Sequence, residues 1–458
     1  MGLSVVILAA GEGSRMHSDT PKVLHAVGAT SMLAHVVDTA RKLGGDRVLV
    51  VYGHGGQTVP TALAHLPVHW VEQAAQLGTG HAVQQTLEYL VPGDTVLVLY
   101  GDVPLITVAT LQCLLDQVDE TTLALLTTCL DEPAGYGRIV RDEDGQVSAI
   151  VEDRDATTAE RGIHEINTGI LAVKEDVLTR CLAALENNNA QGEYYLTDII
   201  ARCVADGLHI STANPASSTE VMGVNNQQQL AQVERYFQQC QAEYLMRAGL
   251  SLRDPARFDL RGSLHAGKDV SVDINVIISG EVKLGDRVTV GPNVLLHNSI
   301  IGDDVTILAN CVIEDAAIEA GCQIGPFARL RPETELQANA RIGNFVEIKK
   351  SSVGRGSKIN HLSYVGDTTI GCDVNIGAGT ITCNYDGANK HRTEIGDRAF
   401  IGSDTQLVAP VKVGAGATIG AGSTITRDAP ADELTYSRVP QKTRPGWLRP
   451  VKKTKGET

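Results

Sequence analysis

At 458 residues the chain is long enough for two or three domains with large cores, which sets a single-domain reading aside. Its 39 basic and 54 acidic residues give a net charge of −15, which argues against non-specific binding to nucleic acid or to anionic membranes. Small phosphorylated substrates stay compatible, because a site needs only local cations. Nine cysteines without paired C-x-x-C spacing indicate neither a zinc site nor a disulfide framework, so reduced thiols are expected. Met1-Gly2-Leu3-Ser4 passes straight into a strand without a basic n-region, and no apolar run reaches ~18 residues, so a cytoplasmic protein is expected.

The first predicted strand, Val5 to Ala9, breaks into Ala10-Gly11-Glu12-Gly13-Ser14-Arg15-Met16, followed by Pro21-Lys22. Glycines at a strand end let backbone amides approach a ligand closely, and Arg15 and Lys22 add cations suited to a polyphosphate. There is no third glycine for a dinucleotide fingerprint and no Gly-Lys-Ser/Thr for a P-loop. Up to about residue 227, apolar runs such as Val48 to Val51 and Val96 to Leu99 alternate with helix-like stretches, the pattern of an α/β domain around a largely parallel sheet. Ligands then gather at the carboxyl ends of strands. Tyr100-Gly101-Asp102 sits at such an end; alone it reads as a turn or cap, but beside the glycine-rich loop Asp102 becomes the first candidate ligand for magnesium. Gln73 with Leu77-Gly78-Thr79-Gly80 offers groups that could read a nucleobase edge. Gly135-Tyr136-Gly137-Arg138, Glu152 and Glu165-Ile166-Asn167-Thr168-Gly169 offer polar groups suited to a sugar.

From 228 to 248, Leu230, Val233, Phe237, Cys240 and Tyr244 recur at alternating spacings of three and four, which predicts one amphipathic connecting helix with a single apolar stripe. Beyond Gly249 an aliphatic-glycine pair recurs with a six-residue offset, as in Leu284-Gly285 and Val290-Gly291, Ile370-Gly371 and Ile376-Gly377, or Val413-Gly414 and Ile419-Gly420. Such a short repeat predicts a β-solenoid over 249–458. Between Thr380 and Glu394 the repeat breaks, and Ile381 to Lys390 is expected to be a polar loop expelled from the prism. Arg331, Lys349, His361, Tyr364, Asn375, Asn384, Tyr385 and Lys390 are the polar candidates around that break, and an imidazole, with an ordinary pKa of about 6.5, suits a base for an amine substrate. The tail from Arg438 to Lys455 is basic and proline-rich, with Arg444, Arg449, Lys452 and Lys453, and by itself reads as a solvated end.

The string Leu8-Ala9-Ala10-Gly11-x-Gly13-Ser14-Arg15-Met16 with Pro21-Lys22 resembles the signature of the sugar-phosphate nucleotidyltransferases, with Ser14 where threonine is usual. The hexads resemble those of left-handed parallel β-helix proteins. The resulting fold class is α/β, a Rossmann-like nucleotidyltransferase domain, a linking helix, and then a left-handed parallel β-helix of hexapeptide repeats. Taken in order, the motifs resemble a bacterial bifunctional family that joins a uridylyltransferase domain to an acetyltransferase domain in the route to UDP-N-acetylglucosamine for peptidoglycan and lipopolysaccharide.

For the first domain the resemblance implies nucleotide-sugar contacts from Leu8, Ala9, Ala10, Gly11, Lys22, Tyr100 and Gly101. It implies uracil recognition by Gln73, Gly78 and Thr79, and sugar contacts from Gly137, Glu152 and Asn167. Asn225 matches the second magnesium ligand beside Asp102, and Arg15 and Lys22 match phosphate contacts. Glu152-Asp153-Arg154-Asp155 departs from the usual Glu-x-Lys-Asp, so the usual lysine's role has no matching carrier.

In the second domain, His361 within His361-Leu362-Ser363-Tyr364-Val365-Gly366-Asp367 matches the base that takes a proton from the amine of glucosamine 1-phosphate before it attacks acetyl-CoA. Arg331 and Lys349 match phosphate contacts, and Tyr364, Asn375 and Asn384 match sugar contacts. Ala378 matches an oxyanion-facing amide, and Ser403, Ala421 and Arg438 match acetyl-CoA contacts. The implied second step joins N-acetylglucosamine 1-phosphate to UTP and releases pyrophosphate. A homotrimer is also implied, and neither nucleic acid nor membrane is an expected partner. The alternatives are a nucleotidyltransferase of the ADP-glucose or dTDP-glucose type, and a single-activity nucleotidyltransferase whose β-helix is only a trimerising scaffold.

Overall fold

The computed structural model describes residues 2–45, 47–450 and 452. Met1 and the tail residues Lys453 and Lys455 named above lie outside the described residues. The chain forms two compact units, Met1–Gln241 and Ala242–Thr458.

The first unit is a nine-stranded sheet whose main path runs His209–Ala213, Thr122–Cys129, Glu165–Lys174, Thr95–Tyr100, Leu3–Leu8, Arg47–Tyr52 and His69–Glu72. Leu3–Leu8 pairs in parallel with Arg47–Tyr52 on one side and Thr95–Tyr100 on the other. These central strands are apolar on both faces because helices cover both. Met32–Lys42, for example, is capped by the Ser31 hydroxyl and buries Leu33, Val36, Val37 and Ala40. The sheet is mixed: Glu165–Lys174 runs antiparallel to both of its neighbours on the main path, and Arg138–Arg141 and Val147–Val151 add antiparallel pairings beside it.

In the second unit every turn of chain stacks on the one before in parallel register. Three inward rows result. One runs Val290, Ile307, Ile324, Ile342, Ile359, Ile376, Ile401, Ile419. A second runs Ile278, Leu296, Ile313, Leu330, Ile348, Val365 and, beyond Thr382, Leu407 and Ile425. The third runs Leu284, Ile301, Ile318, Leu336, Val353, Ile370, Ile395, Val413. All of these aliphatic residues are buried in one continuous core. Three rows define the three faces of a parallel β-helix, as the hexads predict.

Two expectations change. Ile381–Cys383 is not expelled: it is a strand of the prism, paired with Tyr364 below and with Gln406 to Val408 above. Thr382 occupies the inward row, and its hydroxyl accepts the Gly366 amide at 2.8 Å and donates to the Gly366 carbonyl at 3.1 Å, which makes a polar residue tolerable there. The excursion therefore starts at Asn384, and Tyr385 and Lys390 bridge across it. The helix, Gln227–Arg247, also lacks a single stripe. Val233 is buried and Phe237 packs with the first unit, whereas Cys240 and Tyr244 are exposed, and Ala242 and Leu245 join the core of the second unit. The apolar positions of its first turns belong to the first unit's core and those of its last turns to the second unit's.

One corner of the prism repeats the left-handed backbone conformation at Asn275, Asn293, Asn310, Phe327, Phe345 and Leu362. The asparagines suit it and ladder through their side chains at 2.9 and 3.2 Å. The Phe327 and Phe345 rings stack with centroids 5.2 Å apart, and both rings and Leu362 remain exposed.

Ile359 is fully buried in its row between Ile342 and Ile376. Ile359→Ala is expected to lower stability by about 2–5 kcal/mol in urea unfolding of the full chain, the cost of a core cavity.

Candidate functional sites

The loop after Leu3–Leu8 carries Ser14–Met16 as a short turn, and Met16 is buried with Val27, Met32, Val224 and Val233. Met16 is thus an anchor for the loop. Gly13 has φ 67°, and a Cβ there would lie 2.8 Å from the Cβ of Lys22, so glycine allows the loop to fold over the lysine stem. The Gly101 amide donates to the Leu8 carbonyl at 2.9 Å, docking the second strand end beside the first, and the Val224 amide donates to the Asp102 carbonyl at 3.0 Å.

These contacts bring four sequence candidates together. Lys22 Nζ lies 2.5 Å from Asp102 Oδ2 and 3.2 Å from Asn225 Oδ1, and an Arg15 guanidinium nitrogen lies 3.1 Å from the same Asn225 oxygen. Two oxygen donors already face one cation. Among the described residues no group of three or more His, Cys, Asp or Glu could hold a metal, so a metal here would draw on Asp102, Asn225 and non-protein oxygens.

Beside them opens a cavity of about 460 Å³. Leu8, Ala9, Ala10, Gly11, Lys22, Gln73, Gly78, Thr79, Tyr100 and Asp102 line it, as do Glu12, Gln76 and Glu193, which the motifs did not single out. Gln73 is buried, and its amide nitrogen donates to the Gly78 carbonyl at 3.1 Å. Gly80 donates to the Tyr194 carbonyl and Tyr194 to the Leu77 carbonyl, both at 2.8 Å, while the Thr79 hydroxyl accepts the Leu196 amide at 3.0 Å. The segment that carries Glu193 is therefore the wall on which the Leu77 to Gly80 turn rests.

Gly137, Glu152 and Asn167 form a second group. Asn167 donates its amide to the Gly137 carbonyl at 2.9 Å, and its side-chain oxygen accepts the Gly169 amide at 3.0 Å. Burial pushes the Glu152 carboxyl above its ordinary pKa, partly offset by the Thr197 hydroxyl that donates to it at 3.0 Å. Burial, with the Glu152 and Asp102 charges, raises Tyr100 as well, which ties this group electrostatically to the cavity. Arg154, at the departure from the usual motif, is exposed and donates to the Gln191 side-chain oxygen at 2.7 Å.

In the second unit the register makes the site. The amide of each next rung donates to the carbonyl of the rung below: Leu362 to Asn344, Gly379 to His361, Asp404 to Ala378 and Gly422 to Ser403. Asn344, His361, Ala378, Ser403 and Ala421 thus occupy one row of successive coils. Arg438 returns to the top of this row, where a Cβ on Gly420 would lie 3.6 Å from its guanidinium, and its guanidinium sits 5.5 Å from the Tyr436 ring centroid. Asn375 lies on the same sheet, paired with Lys358.

Around the next corner, Lys349 pairs with Gly366, and Tyr364 with Glu347. Arg331 is bound to Glu347 at 2.8 Å. Lys390 crowds Lys349 and, with Arg331, lowers its pKa below the ordinary lysine value, leaving adjoining cations that an oxyanion would relieve. A Cβ on Gly366 would lie 2.5 Å from the Tyr364 hydroxyl oxygen and 2.8 Å from the Asn384 amide nitrogen, so this glycine lets the two polar groups converge. Asn384 donates to Asp367 at 2.5 Å. Tyr385 is not drawn into this group: it is exposed and its hydroxyl donates to the Gly387 carbonyl at 2.6 Å. Asp386 instead staples the excursion, accepting the Ala388 and Asn389 amides and contacting His391 at 2.7 Å, and these bonds hold its carboxyl well below the usual range. A cavity of about 370 Å³ beside the excursion includes Lys390 together with Glu333, Glu335, Lys350, Asp367 and Arg392. No helix among the described residues is long and apolar enough to cross a membrane.

Comparison with known proteins matches the profile of the MobA-like NTP transferase domain at residues 5–163 and that of the bacterial transferase hexapeptide (six repeats) at residues 392–427. A solved nucleotidyl transferase from Methanothermobacter is similar over 52% of this chain and 97% of its own, with 20% identity and a TM-score of 0.39. Over 456 residues the chain is 57% identical to the Bifunctional protein GlmU of Methylococcus capsulatus strain Bath, with 99% of each chain covered. With a relative this similar along its whole length, and a transferase profile matched in each half, the chain belongs to the bifunctional GlmU family.

Proposed function

We propose that the chain makes UDP-N-acetylglucosamine in two steps at two separate sites. In the second domain, residues 249–458, an acetyl group passes from acetyl-CoA to glucosamine 1-phosphate. In the first, residues 1–227, N-acetylglucosamine 1-phosphate takes the uridylyl group of UTP and pyrophosphate leaves. The helix over 228–248 joins them.

The first activity is carried by the Lys22, Asp102, Asn225 and Arg15 cluster at the mouth of the cavity. The phosphate oxygen of the sugar 1-phosphate is already ionised and attacks the α-phosphorus directly, so alignment and charge neutralisation replace a protein base. Lys22 and Arg15 neutralise the triphosphate. Gln73, Gly78 and Thr79 hold the uracil, and Gly137, Glu152 and Asn167 hold the sugar. Asp102 and Asn225 would hold Mg²⁺, whose chemistry is to offset charge on the phosphate oxygens.

The second activity rests on one observation, the row in which His361 is followed by Ala378, Ser403 and Ala421. His361 takes the proton from the substrate amine, the nitrogen attacks the thioester carbonyl, and the carbon–sulfur bond breaks to release CoA. The Ala378 amide faces the developing oxyanion. Arg331, Lys349 and Lys390 hold the sugar phosphate, Tyr364, Asn375 and Asn384 the sugar, and Ser403, Ala421 and Arg438 the CoA. A homotrimer is supported by the exposed Phe327, Phe345 and Leu362 corner beside His361, since a bulky apolar residue in a left-handed backbone conformation is costly and gains from cover.

The decisive measurement is mass spectrometry of products from glucosamine 1-phosphate, acetyl-CoA, UTP and magnesium, with each donor omitted in turn. UDP-N-acetylglucosamine is expected only with both donors; uridylylation without any acetylation would reduce the β-helix to a scaffold. His361→Ala is expected to cut CoA thiol release about 100-fold or more. Asp102→Asn is expected to cut pyrophosphate release about 100-fold or more while thiol release stays at the wild-type rate. Glu152→Gln tests the buried carboxyl. Because the folded pKa is raised, the ionised group costs stability above that pKa, and the cost vanishes below the unfolded value of about 4.3. The variant is expected to melt at or above the wild-type temperature near pH ~8 and to lose that margin as the pH falls, with kcat/KM for the sugar phosphate about tenfold lower.

A further inference from the structure

We infer that Asn344 is the positioning residue for His361, fixing the tautomer and the ring orientation that acetyl transfer needs; the inference rests on the reading of His361 as the base. Asn344 Oδ1 lies 2.7 Å from His361 Nδ1, and the two residues are direct partners on neighbouring coils. A carboxamide oxygen only accepts, so Nδ1 carries the hydrogen and Nε2 keeps the lone pair. That is the nitrogen left to take a proton. The opposite tautomer would present N–H to the substrate amine and could accept nothing.

The backbone on both sides holds the pair in register. Leu362 donates its amide to the Asn344 carbonyl at 3.0 Å, and the His361 carbonyl accepts the Ser363 hydroxyl at 2.8 Å and the Gly379 amide at 3.3 Å. The peptide linking His361 to Leu362 is thus tied to the coil below and the coil above, and the ring has only its own rotation left to fix. Asn344 does this with a neutral group. In the reaction Nε2 accepts the amine proton, the new carbon–nitrogen bond forms as the carbon–sulfur bond breaks, and the departing thiolate takes that proton back, so the imidazole ends neutral. Asn344 exchanges no proton and touches no reacting atom in this step.

The test measures CoA thiol release by the full chain for Asn344→Ala, Asn344→Asp, His361→Ala and the double variant Asn344→Ala with His361→Ala. Urea unfolding of the same preparations reports folding of the β-helix. Asn344→Ala is expected to lower kcat about tenfold or more, with KM for both substrates within about twofold of wild type. Asn344→Asp keeps an acceptor for Nδ1 and is expected to restore most of that kcat. In the His361→Ala background, removing Asn344 is expected to cost nothing further.

A wild-type kcat for Asn344→Ala would overturn the inference, and so would an equal loss in the His361→Ala background. If Asn344→Ala also loses the unfolding transition of the β-helix, Asn344→Asp decides alone: kcat near wild type supports the role, and a lost kcat with that transition intact overturns it. Wild-type acetyl transfer by His361→Ala would instead overturn the base reading itself, a separate result.

Discussion

The parallel register of the coils is the constraint on which the second half of the molecule depends. Each inward aliphatic sits directly on its counterpart in the coil below, and side chains alternate between inside and outside, so a slip of one residue would turn a whole row outward. The chain cannot absorb extra residues within a face. It must eject them at a corner, which is what the excursion after Cys383 does before Thr393–Ile395 resumes the stack. The same register turns sequence distance into adjacency. Asn344, His361, Ala378, Ser403 and Ala421 become neighbours although none is close to the next along the chain.

The first half reaches the same end by different means. Its cluster is gathered from strand ends and from a segment more than a hundred residues further on, held by single backbone hydrogen bonds such as Gly101 to Leu8 and Val224 to Asp102. Lys22 stands between two oxygen acceptors and is mostly shielded from solvent, so its attraction to any anion is strengthened by partial desolvation. One site is a row on a rigid lattice and the other a convergence of loops.

Much of this was legible in the residues. Aliphatic-glycine hexads state their own geometry, and all the inward positions they mark are buried. Val96 to Leu99 is apolar throughout, which pointed to a strand covered on both faces with Asp102 at its carboxyl end. Other features carry no local signature. The antiparallel course of Glu165–Lys174 follows from tertiary pairing, since its apolar run from Ile170 to Val173 would suit either direction. Thr382 looks like the start of a polar loop, because nothing in its neighbourhood shows that the Gly366 peptide will satisfy its hydroxyl. Glu193 reaches the cavity from a segment with no recognisable motif. Asn344 was missed narrowly: three hexads count back from His361 to Gly343, whereas this coil is one residue shorter and sets Asn344 on the rung below.

The helix Gln227–Arg247 bears on how freely the two halves can be exchanged or expressed apart. Its amino-terminal turns are part of the first fold: Val233 is buried there, the Glu234 carboxylate accepts the Gly28 amide at 2.6 Å, and the Phe237 ring lies edge-on to His35 at 5.3 Å. A gene segment ending at 227 would strip these groups away and leave the loop around Gly28 without its support. A chimaera that respects both cores has to be joined inside the helix, after Gln241 and before Ala242, where one fold has released the chain and the other is about to take it.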